Sequence, residues 1–336
     1  MTNRVPPPYL KGLSMPENNP RHFAFVLIPR FTMLSLSCAL DGLRSANVDC
    51  QPGSYSWELV SAEPGPVISS SEVPLAVTSL SEAKNPDVVV ICGGERSHDY
   101  TNAALTRWLH GQTKRNISIG SLSDGAFVAA QAGLFNGHRS TIHWKCLDAY
   151  RERFPNLDIH SSLMEIDRKR FSCAGGTPCL DLMLHFILQD LGSEAVAKIS
   201  NNYFHDTVRD GGQTQHLASA FRFAGHSQPL TQALLLMEAN LEHPMRIIDI
   251  ANELKVSHRQ LDRLFQKFLK TSPAHYFRSL RLARAAGLLS QTGLNISEIA
   301  FGCGFQSSSH LGRYFKDQYG VTPSTYRKSL TLVRGI

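Results

Sequence analysis

Ser123 stands where the run "ISIGSLS" gives way to the Ala-rich "DGAFVAAQAG", which ends at Gly133. A serine on a sharp strand-to-helix turn, hemmed by small residues and beside the free N–H groups of a helix start, has the geometry of a nucleophile elbow. Its hydroxyl is weak until a base takes the proton and a third group orients that base. His143, in "TIHW", is the available imidazole, and no acidic orienter is evident for it. A second set of side chains suits nucleic acid rather than acyl chemistry. His258, Arg259, Gln260, Arg263, Gln266 and Lys267 share the outward face of one short segment, and Gln306, Ser307, Ser308, His310, Arg313 and Lys316 gather around another. Arg and Gln bond base edges in pairs, and Lys neutralises phosphate.

The second set lies on an internal repeat. "IIDIANELKVSHRQLDRLFQKFLKTSPAHYF" is echoed by "ISEIAFGCGFQSSSHLGRYFKDQYGVTPSTYR", pairing Ile248 and Ile250 with Ile296 and Ile299, Leu261 and Phe265 with Leu311 and Phe315, and Ser272-Pro273 with Thr322-Pro323. Each copy has a short amphipathic helix, a turn, and a second helix opened by serines that cap free N–H groups. Such a pair is a helix-turn-helix. The joining segment, 273–290, predicts one helix with Tyr276, Leu280, Leu282, Ala283, Ala286 and Leu289 as its apolar stripe. At ~1.5 Å per residue, about 18 residues span ~27 Å, which suits two recognition helices in successive major grooves ~34 Å apart.

The first set needs a different frame. "FAFVLI" and "PDVVVICGG" are continuously apolar, the mark of strands buried on both faces, and helical patterns alternate with them. That order predicts an α/β layer fold in which ligands gather at the carboxyl ends of the strands. Gly93 and Gly94 end one strand where backbone must approach something closely. They are candidates for the ligand site or simply for the turn, since no GxGxxG or GKS/T accompanies them. His143 and Trp144 either face a ligand or pack beneath the sheet. Asp181, in "GGTPCLDLMLHFI", either functions or salt-links its helix.

With 336 residues, 42% hydrophobic and 18% charged, the chain is long enough for two cores. No apolar run approaches the ~18 residues that span a bilayer. Residues 1–20 lack the apolar core of a secretory signal and are expected to form a disordered tail. The seven cysteines are odd in number and scattered, which suits reduced thiols in the cytoplasm, with no metal or cofactor. Residues 228–336 hold 14 Lys+Arg against 7 Asp+Glu, whereas 1–227 hold 20 against 21. The basicity belongs to one domain, the footprint of a nucleic-acid module attached to something else.

The repeat, with "RLARAAGLL", "ISEIAFGCGF" and "YGVTPSTYR", resembles the DNA-binding domain of the AraC/XylS transcriptional regulators over about the last hundred residues. "VVVICGG", "SDGAFVAAQAGLFNGHRSTIHW" and "FSCAGGTPCLDLMLHFI" resemble the class I glutamine amidotransferase-like, PfpI-type domain over about residues 22–200. The second resemblance implies an elbow cysteine, a following histidine and a glutamate from the first loop. Here those positions carry Ser123, His143 and Ser35, which implies a disabled site kept as a ligand pocket.

The expected organisation is therefore a tail at 1–20, a ligand-sensing and dimerising flavodoxin-like sandwich with a mostly parallel sheet at 21–205, a linker at 206–229, and an all-α tandem helix-turn-helix domain at 230–330. Ser35, Gly93, Gly94, Ser123, Asp124, His143 and Trp144 are its candidate ligand residues. The function implied is a regulator, as a homodimer on promoter DNA and in contact with RNA polymerase, activation being the commoner role. The resemblance implies a nitrogenous effector such as an amino acid, betaine or carnitine, and Trp144, Trp57 and Phe31 are the aromatics able to attract a quaternary ammonium. Two rivals are a serine hydrolase targeted to DNA, and a constitutive DNA-binding protein whose first domain only dimerises.

Overall fold

The computed structural model describes residues 20–209, 211–215 and 227–332, so the expected tail, apart from residue 20, and residues 210 and 216–226 of the expected linker lie outside the described residues. The chain divides into two compact units, Met1–Gln215 and His216–Ile336.

In the first unit, strands β1 (Arg21–Leu27), β2 (Tyr55–Ser61), β3 (Val67–Ile68), β4 (Pro74–Leu75), β5 (Thr78–Ser79), β6 (Val88–Cys92), β7 (Ser118–Leu122), β8 (Arg139–Ser140), β9 (Asp158–Ile159), β10 (Met164–Asp167) and β11 (Arg170–Cys173) alternate with helices α1 (Met33–Ser45), α2 (Ala103–Lys114), α3 (Gly125–Gln131), α4 (Leu147–Arg153) and α5 (Pro178–Asn202). Seven strands form one sheet in the order β10-β11-β7-β6-β1-β2-β5. Every pairing is parallel except the β10–β11 hairpin at one edge. β1 is continuously apolar because both its faces are covered. Phe23, Phe25 and Leu27 meet α1 and α5 on one side, and Ala24 and Val26 meet α2, α3 and α4 on the other. The expected α/β sandwich with a mostly parallel sheet is therefore the fold.

Chain expected to be linker belongs, through Gln215, to this first unit. Leu163 N–H donates to Gln213 O at 2.7 Å and Gln215 N–H to Ser161 O at 2.7 Å, around a bridge between Ser162 and Thr214. The reason is a buried charge. Asp181 is fully buried among the leucines of α5, and a lone carboxylate there would cost several kcal/mol. His205 Nε2 at 2.7 Å, Arg209 N at 2.9 Å and Arg209 Nε at 2.8 Å satisfy it. The polar stretch after α5 is thus a strap fastened to the domain, and Asp181 takes its salt-linking role.

The second unit holds α6 (Gln228–Ala239), α7 (Ile247–Glu253), α8 (His258–Leu269), α9 (Pro273–Gln291), α10 (Ile296–Gly302), α11 (Ser308–Tyr319) and α12 (Pro323–Leu332). The pairs α7–α8 and α10–α11 are the two helix-turn-helices. One core joins Leu234, Ile250, Leu261 and Phe265 to Phe277, and another joins Leu282, Ala286 and Leu289 to Ile299, Leu311 and Phe315. The 19-residue α9 contributes one end to each core. Its buried stripe differs from the expected one: Phe277 and Ala285 are inside, while Ala283 faces solvent. The repeat is also offset by one residue at its start, because Ile247 packs in the first core as Ile296 does in the second, and Ile248 is 44% exposed.

Candidate functional site

The elbow forms as the sequence implies. β7 ends at Leu122, α3 begins at Gly125, and Ser123 between them adopts φ 53°, a left-handed conformation uncommon for a residue with a side chain. Glycines make the strain tolerable. A methyl on Gly93 would stand 2.2 Å from Gly125 N, and one on Gly175, at φ 94°, would stand 2.8 Å from Ser123 Cβ. Gly94 is equally enclosed, with Arg30 O 2.3 Å from where a Cβ would sit. Gly93 N–H donates to Leu122 O at 3.3 Å and Gly94 N–H to Ser97 Oγ at 2.9 Å. Both glycines are tightly packed at the elbow, as the turn requires.

Several polar groups surround the elbow. Ser123 Oγ lies 3.5 Å from Thr32 Oγ1, and the Ser123 side chain also hydrogen-bonds the Asp124 carboxyl. His143 caps a short 3₁₀ turn, its Nδ1 accepting from Lys145 N–H at 3.4 Å. Burial, then the Lys145 charge, lowers the His143 pKa. Ser35 is buried, and its hydroxyl accepts from Gly176 N–H at 2.8 Å. Asp124 shows Oδ1 buried without a hydrogen-bond partner among the described residues, and burial pushes its carboxyl up to about 6. Trp144 is 57% exposed, with the Lys145 ammonium 5.6 Å from its ring centre. Phe31 is sealed in the core and Trp57 packs beside it, so Trp144 is the surface aromatic of the three.

Two features here escape a reading of the sequence. Thr32 carries no local signal. The loop from Ala174 to Thr177 touches the elbow through Gly175, Ser35 through Gly176, and the strap through Thr177, whose Oγ1 accepts from Arg209 Nη2 at 2.9 Å. An aspartate inside the apolar run "CLDLMLHFI" did signal a buried partner, but the partner's position needed the fold. A cavity of about 330 Å³ opens elsewhere, lined by Tyr100, Asn102, Leu105, Thr106, Gln131 and Arg153 among others, and none of the expected ligand residues borders it.

The nucleic-acid faces are built from caps outward. Ser257 N-caps α8 and forms a capping box with Gln260, whose Oε1 accepts from Ser257 N–H at 2.8 Å. The carboxamide of Gln260 is thus half spent on its own helix. His258 Nδ1 lies 3.0 Å from Asp262 Oδ2. Arg259, Arg263 and Lys267 are exposed, and among the described residues neither arginine has an ion pair. On the second copy Ser307 N-caps α11, Ser308 opens it, and Gln306, Arg313 and Lys316 are exposed. His310 turns partly inward, its ring 4.9 Å from Tyr314 and 6.1 Å from Phe305.

Residues 250–329 match a model of helix-turn-helix domains, and residues 24–157 match the DJ-1/PfpI family. The HTH-type transcriptional regulator GbdR of Pseudomonas aeruginosa is 34% identical over 96% of this chain and 89% of its own length. CdhR, another HTH-type transcriptional regulator of that species, is 32% identical over 92% of each chain. A crystal structure of an AraC family transcriptional regulator from Pseudomonas putida is 25% identical, covers 55% of this chain and 100% of its own, and superposes with a TM-score of 0.51.

Proposed function

This chain belongs to the AraC family of transcriptional regulators that carry a DJ-1/PfpI domain, and on that premise we propose that it reads promoter DNA under the control of a small nitrogenous metabolite seated at the Ser123 elbow. The observation that carries the DNA reading is the pairing of two capped recognition helices, with Arg259 and Arg263 free on one and Arg313 and Lys316 exposed on the other, across one 19-residue helix. The metabolite is an amino acid, betaine or carnitine, its cationic end against Trp144. The elbow performs no hydrolysis, a reading supported by His143 turning its Nδ1 to the Lys145 backbone and by Ser35 in place of an acid. The regulator acts in the cytoplasm as a homodimer and meets RNA polymerase at the promoter. Ligand acts by preferring one arrangement of the strap, which the elbow loop holds through Thr177, since equal affinity for two states would shift nothing.

A thermal-shift screen of amines and amino acids on the full chain, followed by promoter affinity with and without each hit, tests the sensing. A hit that changes DNA affinity, survives Ser123→Ala and is lost in Ser123→Trp supports the elbow. The cavity beside Arg153 is the second seat to consider, because it is already open. Loss of the hit in Thr106→Trp with Ser123→Trp unaffected would move the ligand there. Labelling of Ser123 by a serine-reactive probe, with turnover abolished in Ser123→Ala, would replace the regulator reading of this domain with an enzyme.

A further inference from the structure

The 19-residue α9 joins the two recognition helices. That helix carries three arginines in its middle, at 278, 281 and 284. Two are committed inside the domain. Arg281 is half-buried, donates from Nη1 to Gly304 O at 2.9 Å and stacks 4.7 Å from the centre of Phe305, holding the turn of the second helix-turn-helix. Arg284 also has a partner within the protein.

Arg278 differs. Its guanidinium lies 4.3 Å from the ring centre of Tyr314 on α11, and Arg313, the next residue of that helix, lies 4.7 Å from the same ring. Two cations therefore share one phenol ring, and among the described residues neither has an ion pair with a carboxylate. Ring attraction orients a guanidinium without consuming its N–H donors. A pre-oriented arginine beside a second positive charge, with no acid to neutralise either, suits an anion supplied from outside. The backbone phosphate is the anion that α9 meets when both recognition helices are in their grooves.

We propose that Arg278 binds one backbone phosphate of the DNA between the two half-sites, and that Tyr314 is its positioning residue. The proposal rests on the DNA-reading function above and adds to it a contact outside both helix-turn-helices. Arg278 contributes affinity and register, without base preference.

The test uses the full chain on its selected binding site, with affinity measured across a series of salt concentrations. Each phosphate neutralised contributes about 0.9 to the slope of log affinity against log salt. Arg278→Ala should lower the slope magnitude by about one and weaken binding by the same factor on every single-base variant of the site, with an unchanged melting temperature. Arg278→Lys should keep most of the slope. Tyr314→Phe should behave as the parent, while Tyr314→Leu, which loses the ring, should reproduce much of the Arg278→Ala loss. An unaltered slope in Arg278→Ala, or a loss confined to particular base positions, would overturn the phosphate assignment. Normal binding by Tyr314→Leu would overturn the positioning role. Inorganic phosphate stabilising the DNA-free chain in an Arg278-dependent way would show a free-anion site instead. If the parent chain selects no DNA, it is the function proposed above that fails.

Discussion

The two helix-turn-helices share a plan and differ in what surrounds their turns. Lys255 and Gly304 occupy matching left-handed positions, at φ 53° and 71°, and Lys270 and Gly320 do so again at the helix ends, at 55° and 76°. The first copy tolerates side chains there because Lys255 and Lys270 point into solvent. The second cannot at its turn. A Cβ on Gly304 would come within 2.6 Å of Pro244 Cδ, 2.7 Å of Leu241 O and 2.9 Å of Glu242 O, while Arg281 holds its carbonyl. The turn of the second copy is therefore packed against the segment between α6 and α7. The recognition faces diverge in parallel: the first presents two arginines without an ion pair among the described residues, and the second ties Arg313 and His310 to Tyr314.

The largest effect expected from this contrast is at the turns. Gly304→Ala must displace backbone and adopt a strained φ, at a cost of about 1–3 kcal/mol, and should reduce affinity for the two-part site strongly. Lys255→Ala should change stability by less than about 0.5 kcal/mol and leave affinity intact. Thermal melts and binding assays on the two variants check the contrast, and equal effects would erase it.

At the next level, Arg259→Ala or Arg263→Ala should cost about 1–3 kcal/mol of discrimination at one base position each, because a forked guanidinium on guanine is lost. Arg313→Ala should relax its half of the site less. Binding-site selection with the full chain reads this out, and a motif with two equally strict halves about one helical turn apart would refute the asymmetry.

A smaller and more uniform effect belongs to the lysines. Lys267→Ala and Lys316→Ala should each lower the salt slope by about one and leave the selected motif unchanged. A motif altered by either would make that lysine a base reader. The smallest effect is Lys255→Gly, which relieves a left-handed side chain and should raise stability by no more than about 1 kcal/mol in a denaturant titration. Destabilisation would mean that the Lys255 stem packs on the domain.

Periodicity along the chain was enough for much of the architecture. The doubly buried strands β1 and β6, the repeat, the serine caps at 257 and 307 and the elbow at Ser123 are each dictated by neighbours a few residues away, where apolar spacing and capping chemistry act locally. The charge asymmetry was legible for the same reason, since it is a count. What the amino-acid order could not determine was which polar groups spend themselves inside the protein. Gln260 closing its own capping box, His143 turned to Lys145, the amides of Gly93 and Gly94 donated inward and the strap tied to Asp181 all depend on partners brought near in three dimensions. Asp181 and Arg209 are separated by an entire helix, and Arg278 meets Tyr314 only because α9 folds α11 back against itself. A buried polar group takes the nearest available partner in space, and closeness in space is set by packing.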